Sequence, residues 1–153
     1  MVKNDLDLKP GHRLNRSTPL FLRMASWLAV VLWIVSICYL SSLSGTKVSS
    51  LNVVDLWDKA AHFLAFALGS ALLACALRLN TAWPASRVLL AAAAAISLFG
   101  GIDEWHQLYT PGRSGADLGD WIADTLGALS GASLVLLSYA RPQRPNPKTA
   151  QGA

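Results

Sequence analysis

Charged side chains are scarce in this chain: they make up 14% of its 153 residues, while hydrophobic residues make up 53%. A soluble domain usually carries about a quarter charged residues. The deficit therefore argues against a soluble domain. Together with apolar runs of roughly twenty residues, it indicates an integral membrane protein that lives in a lipid bilayer.

Cysteine is also scarce, with only Cys38 and Cys75 in the chain. The predicted topology puts them at opposite ends of neighbouring helices, and a disulfide needs Cα atoms within roughly 7 Å of each other. We therefore expect both to be small packing residues without a redox or metal role.

The chain lacks the features of two further classes. Its net charge of +4 does not indicate a nucleic-acid partner, because the basic residues flank apolar runs instead of clustering with exposed aromatics. No inverted repeat is apparent, and four short helices leave little room for alternating access, which argues against a transporter.

The apolar runs predict an all-α fold, an integral membrane bundle of four transmembrane helices. The first run follows a basic leader, but it exceeds the apolar core of a signal peptide, about 7–15 residues, so we expect a retained helix. The bundle, residues 20–140, lies between a basic cytoplasmic tail, residues 1–19, and a disordered Pro-rich basic tail, residues 141–153. The four predicted helices cover residues 20–40, 57–79, 87–109 and 117–140.

Basic residues are unevenly divided between the two sides of this bundle. The loops after the first and third helices, with the adjacent helix ends, hold only Lys47, Lys59 and Arg113. The other side holds ten: Lys3, Lys9, Arg13, Arg16, Arg23, Arg78, Arg87, Arg141, Arg144 and Lys148. The positive-inside rule therefore predicts that both termini are cytoplasmic.

Several ionisable residues fall inside the predicted spans. The apolar stretch 88–102 covers only about 22 Å of helix, so Asp103 and Glu104 must help to fill a hydrocarbon core of roughly 30 Å. His62 and Asp124 lie at a similar depth. Charged groups there cost several kcal/mol unless they face protein or water. We expect them to converge on one polar cavity that opens outward.

Helical spacing supports this convergence. Asp58 and His62 are four residues apart and share a helix face. Gln107 shares a face with Asp103 and also lies three residues after Glu104, although the two acids themselves point about 100° apart. Three acids of the fourth helix follow a 3-4 pattern: Asp117, Asp120 and Asp124.

Simpler interpretations of these residues remain open. Asp117 could cap the fourth helix, Lys59 could reach the interface by snorkelling, and His62 could be a packing residue. Arg113 could form a surface salt bridge, or it could hold a phosphate or carboxylate. The pattern Gly127-x-x-x-Gly131 is compatible with packing inside the monomer or with dimerisation, and we favour the former.

Metal binding has no diagnostic signature here. A divalent ion could be held by His62, His106 and nearby acids, but their spacing matches no established ligand pattern. His106 lies between Trp105 and Tyr109 and could equally be an interface residue. We therefore expect neither a metal nor a cofactor.

The polar residues of the bundle belong to motifs that follow one another in a fixed order: Tyr39-Leu40-Ser41-Ser42, Asp58-Lys59-x-x-His62-Phe63-x-x-Phe66, Asp103-Glu104-x-x-Gln107, Pro111-Gly112-Arg113-Ser114, Asp117-x-x-Asp120 and Gly127-x-x-x-Gly131. In these motifs, over roughly residues 25–140, the chain resembles the VanZ-like family. The position of Asp124 is usually Asn in that family.

The resemblance implies a small multi-pass protein of the bacterial inner, or cytoplasmic, membrane. The family takes its name from a member associated with resistance to the glycopeptide teicoplanin, and it brings no established reaction.

From the residues we predict either an enzyme of the cell envelope or a non-catalytic module that binds a partner protein or an amphiphile. The enzyme would act on an envelope lipid or lipid-linked precursor, with Asp103, Glu104 and His62 as candidate catalytic residues. The candidate substrate-binding residues are Asp58, Lys59, Gln107, Arg113, Asp117, Asp120 and Asp124. The sequence predicts no oligomeric state.

Overall fold

The computed structural model describes residues 18–45 and 55–140, and these residues form four long helices and no strand. The helices are α1 at Leu20–Ser41, α2 at Asp55–Asn80, α3 at Ala85–Gln107 and α4 at Leu118–Ala140. The prediction of an all-α bundle is confirmed. Residues 1–17 and 141–153, which the sequence assigns to the two tails, lie outside the described residues.

All four helices are long and apolar enough to cross a membrane. The 23 residues of α3 extend about 34 Å, slightly more than a hydrocarbon core of roughly 30 Å. Large apolar side chains are exposed on every helix, among them Leu28, Leu64, Leu98 and Leu134. Exposing this much apolar surface to water would be unfavourable, so this surface faces lipid.

Two glycines let α2 and α4 approach closely. A Cβ atom at Gly127 would overlap the backbone carbonyl of Phe63, and one at Gly131 would overlap that of Ala67. The Gly-x-x-x-Gly pattern therefore serves helix packing inside the monomer, where it sets the register of α4 against α2.

Trp33 ties α1 to this pair of helices. Its indole Nε1 donates a hydrogen bond to the carbonyl of Ala65 at 2.9 Å. Its ring meets Phe66 edge to face, with centroids 5.6 Å apart. Gly69 leaves the space that the indole fills, since a Cβ there would overlap three ring atoms of Trp33. The contact buries Trp33 in the core.

The loops after α1 and α3 meet at one end of the bundle. The N–H of Gly45 donates to the carbonyl of Pro111 at 3.0 Å. At the opposite end, Arg23 Nε donates to Asn80 Oδ1 at 3.2 Å. Helix α1 therefore begins beside the end of α2, as in an up-and-down bundle. Cys38 and Cys75 are both free, as expected.

Helix α3 has the predicted length of 23 residues but lies two residues earlier in the chain, from Ala85 to Gln107 instead of from 87 to 109. The N–H groups of Leu108, Tyr109 and Thr110 each bond to a carbonyl three residues back. The chain thus tightens into a turn, and Pro111 has no N–H to continue the helical pattern.

Candidate functional site

A cavity of about 180 Å³ lies at the end of the bundle where the α3–α4 loop approaches the end of α1. Its apolar lining includes Ile37, Leu40, Leu43, Ala65 and Phe66. Its polar lining consists of Ser41, Asp58, His62, Asp103, Gln107 and Arg113. Predicted site residues from two helices and one loop therefore line a single cavity.

His62 pairs with Asp124 across the α2–α4 contact. Its Nδ1 lies 3.0 Å from Asp124 Oδ1, and the Asp124 side chain is completely buried. The imidazole also stacks on Phe66, with an angle of 10° between the rings. Gly100 of α3 gives Asp124 its room, because a Cβ there would lie 2.7 Å from Oδ2. With Nδ1 engaged, Nε2 is the ring nitrogen left for a ligand.

Lys59 neutralises part of the acidic group on α4. Its Nζ donates to Oδ1 of the buried Asp120 at 2.8 Å and lies 3.6 Å from Oδ1 of Asp117. About half of the Lys59 side chain is exposed. The ammonium therefore stays near the surface while it compensates a carboxylate inside the bundle.

A chain of three polar side chains connects α3 to the α3–α4 loop. Gln107 Nε2 donates to Asp103 Oδ2 at 2.9 Å, and both side chains are buried. Arg113 Nε in turn donates to Gln107 Oε1 at 3.0 Å, and Nη2 donates to the same oxygen. These bonds orient the guanidinium and use only part of its five N–H donors.

The Pro111-Gly112 turn holds Arg113 at the cavity. The Arg113 N–H donates to the carbonyl of Thr110 at 3.2 Å. Gly112 has a φ of 74°. A type II turn requires a positive φ at its third residue and favours proline before it. The Pro-Gly pair therefore fixes the point at which the arginine leaves the backbone.

Glu104 faces away from Asp103, as their positions on the helix predict. Its Oε2 accepts the backbone N–H of Asp117 at 2.9 Å, and its carbonyl accepts that of Ala116 at 3.0 Å. Glu104 is buried, and it is not among the cavity residues. Its contacts hold the segment that leads into α4.

Asp117 caps α4, which is the simpler of its two interpretations. Its Oδ1 accepts the N–H of Gly119 at 2.7 Å, and its carbonyl accepts that of Trp121 at 3.1 Å. The Gly119 N–H holds the pKa of the Asp117 carboxyl below its usual value. The cap leaves the carboxylate near Lys59 as well.

His106 stands apart from the site. It is exposed on α3, whereas the buried Asp103 and Gln107 face the interior. The rings of its neighbours Trp105 and Tyr109 meet edge to face on the exposed surface, with centroids 5.7 Å apart. This placement favours the interface interpretation of His106.

Three potential metal ligands converge beside the cavity. One atom each of Asp58, His62 and Asp120 lies within 4.8 Å of the other two. Asp58 and His62 come from one face of α2, and Asp120 comes from the first turn of α4.

A family model described as VanZ/LLP1 matches residues 16–139. The chain belongs to the VanZ/LLP1 family. The match includes every site residue described above and confirms the resemblance drawn from the sequence motifs. No curated protein and no solved structure matches the chain.

The apolar residues that line the cavity of this VanZ/LLP1 protein were not predicted from the sequence. Ile37 and Leu40 belong to an ordinary apolar run, and no signal separates the residues that face the cavity from those that face lipid. Gly100 could have been found, because a Gly-Gly pair inside a helix often marks a close approach.

Proposed function

We propose that this VanZ/LLP1 protein binds and acts on an envelope lipid or a lipid-linked precursor, with the head group in the cavity. One observation supports this proposal: a single cavity near the ends of membrane-spanning helices is lined by both apolar and charged side chains. Ligand sites typically have such an apolar lining with a few polar groups that fix orientation.

The apolar lining residues of the cavity suit the acyl or prenyl chain of an amphiphile. Ile37 and Leu40 line the cavity from α1, and α1 exposes many large apolar side chains to lipid. An apolar chain that lies along the outer end of α1 would therefore contact apolar side chains of the cavity. This contact favours an amphiphile over a water-soluble ligand.

Arg113 fits an anionic head group. Its guanidinium lines the cavity and is oriented by Gln107, so its remaining N–H donors can grip a phosphate or carboxylate in two-point fashion. The bond from Gln107 to Asp103 spaces the guanidinium from the carboxylate, which would otherwise compete for it.

The same cavity carries groups for acid–base chemistry on a bound head group. His62 could take up a proton at Nε2 while Asp124 orients the ring and stabilises the imidazolium, and Asp103 could serve as the second acid or base. Glu104 would support this chemistry indirectly, because it holds the backbone of Asp117 and does not line the cavity.

The charge pattern of the chain supports an outward-facing cavity in the bacterial cytoplasmic membrane. The end of the bundle opposite the cavity carries Arg23, Arg78 and Arg87, while the cavity end carries most of the acids. By the positive-inside rule, the basic end is cytoplasmic.

A deletion strain tests the proposal. Its envelope lipids and its sensitivity to teicoplanin are compared after rescue by wild type, His62→Gln, Asp103→Asn, Glu104→Gln and His106→Gln. Wild type and His106→Gln should restore both readouts. His62→Gln and Asp103→Asn should fail at equal protein level. Full rescue by His62→Gln and Asp103→Asn would contradict the proposal.

A second candidate is a non-catalytic module whose polar cluster orders the helices and which binds a partner protein or an amphiphile. The capping contacts of Glu104 and Asp117 and the complete burial of Asp124 favour it. In that case Asp103→Asn would lower the midpoint of thermal unfolding and leave the lipid profile of the rescued strain normal.

A further inference from the structure

The spacing of Asp58, His62 and Asp120 is close to what a metal ion requires. Ligand atoms about 2.0–2.2 Å from one ion lie at most about 4 Å from each other. The three side chains offer atoms within 4.8 Å of one another. Small rotamer changes would bring these atoms close enough to coordinate one ion. Two ligands share one face of α2, which keeps their geometry fixed.

A buried carboxylate contacts the imidazole of His62. The Asp124 side chain is completely buried, its Oδ1 lies 3.0 Å from His62 Nδ1, and its Oδ2 has no hydrogen-bond partner. The ammonium of Lys59 is engaged with Asp120 instead. A cation bound to His62 would therefore lie next to a carboxylate that stabilises it through the imidazole.

The pairing of His62 with Asp124 is the arrangement that metal-binding histidines commonly have. A ligating imidazole usually gives its second nitrogen to a carboxylate, which fixes the ring and strengthens the ligand. Asp124 holds Nδ1 and leaves Nε2 for an ion. Lys59 uses Oδ1 of Asp120 and leaves Oδ2. With an ion at Nε2, Asp103 is the cavity residue that remains for proton transfer to a bound head group.

We propose that Asp58, His62 and Asp120 bind one divalent metal ion beside the cavity, with Asp124 as the residue that positions the imidazole. One imidazole and two carboxylates suit Mn²⁺ and Zn²⁺. The sequence did not reveal this site because its third ligand comes from α4, which is distant along the chain, and not from His106.

The ion would also define the substrate class, a step that rests on the proposed function. Asp58 and His62 line the cavity, so coordination positions not filled by protein would face a bound head group. A metal ion and the Arg113 guanidinium at one cavity would favour a phosphate, which carries several anionic oxygens. The lipid would therefore be one with a phosphate head group.

Ion binding is measured on the full-length chain purified in detergent. The protein is stripped with EDTA and dialysed against Mn²⁺ or Zn²⁺ separately; bound metal and the thermal midpoint are then measured. Wild type should hold one ion per chain and gain stability from it. His62→Ala and Asp58→Asn should lose affinity at least about tenfold.

His106→Ala is the matched control, because it removes an exposed histidine near the same end of the bundle. It should bind the ion like wild type. Absence of a retained ion, or equal binding by wild type and His62→Ala, would overturn the proposal. Asp58→Asn guards against misfolding: a folded variant that binds as well as wild type would also overturn it.

The phosphate step is tested apart from the ion. Binding of phosphatidic acid and of diacylglycerol is compared with and without the metal. The metal should strengthen binding of the phosphate lipid alone. If the ion binds but neither lipid does, the proposed function fails while the metal site stands; if both lipids bind equally, the phosphate assignment fails.

Discussion

Nδ1 of His62 lies 3.0 Å from Oδ1 of Asp124, and the Asp124 side chain has no exposed surface. This pair joins α2 to α4 inside the span, at a depth where an ionised group without a partner is expensive. An asparagine at this position would carry no such charge. The acid makes the α2–α4 contact depend on His62.

Removing the imidazole should therefore destabilise the fold. His62→Leu leaves the Asp124 carboxylate buried without a partner and should cost about 3–5 kcal/mol. Adding Asp124→Asn removes the buried charge and should recover part of that loss. Thermal unfolding in detergent gives both values, with His106→Leu as the control. A double variant less stable than His62→Leu would contradict the account.

The α2–α4 register should depend on single glycines. Gly127→Ala would push a methyl group into the carbonyl of Phe63 and should cost about 1–3 kcal/mol. Gly101→Ala is the control, because a Cβ there would lie 3.4 Å from Trp121 Nε1, in ordinary contact. Thermal midpoints of the two variants in the same detergent measure the difference. Equal midpoints would mean that α4 does not lie against α2 at this point.

Much of the fold follows from local features of the chain. Four apolar runs of membrane length predict four helices, and the 100° step between Asp103 and Glu104 predicts their different contacts. The Pro111-Gly112 pair predicts the turn that presents Arg113. Each of these inferences needs only the geometry of one segment.

The partners of the polar residues could not be predicted, because they depend on how the helices are rotated and shifted against each other. The close approach of α2 and α4 at Gly127 and Gly131 sets the register in which His62 contacts Asp124 and Lys59 contacts Asp120. From the sequence alone, Asp117 could be either the cap of the fourth helix or a substrate-binding residue. Packing also decides which face of α1 lines the cavity, and a mostly apolar run such as 27–40 does not show which of its residues face the cavity.

Asp117 should make the stability of α4 depend on pH. Its pKa is held below the usual value of 3.8, so the ionised cap stabilises the fold above that value and the effect is lost as the pH falls through the lowered pKa. Asp117→Asn keeps the cap but not the charge. The difference in thermal midpoint between wild type and Asp117→Asn should be present near about pH 6 and shrink as the pH falls below about 4. A difference that is constant over this range would contradict the assignment.

Arg113 should be irreplaceable by lysine. Arg113→Lys keeps the charge but cannot form the forked contact to Gln107 or to an anionic head group, so binding of phosphatidic acid should weaken by about tenfold or more. Arg87→Lys is the control, because that guanidinium lies over Trp83 at the opposite end of the bundle. Binding is measured by titration of lipid into the purified protein. An Arg113→Lys variant with wild-type affinity would remove the proposed anchor.

The central claim is that a lipid occupies the cavity, and filling the cavity tests it most directly. Ala61 lines the cavity on α2 and carries no polar side chain, so Ala61→Trp would occupy the space and leave the charged residues in place. Leu64→Trp puts the same ring on a lipid-facing position of the same helix, where Leu64 is 64% exposed. Native mass spectrometry of the two variants and wild type counts the lipids that remain bound after purification. The account predicts that wild type and Leu64→Trp retain a lipid and Ala61→Trp loses it; equal retention by Ala61→Trp would contradict the account.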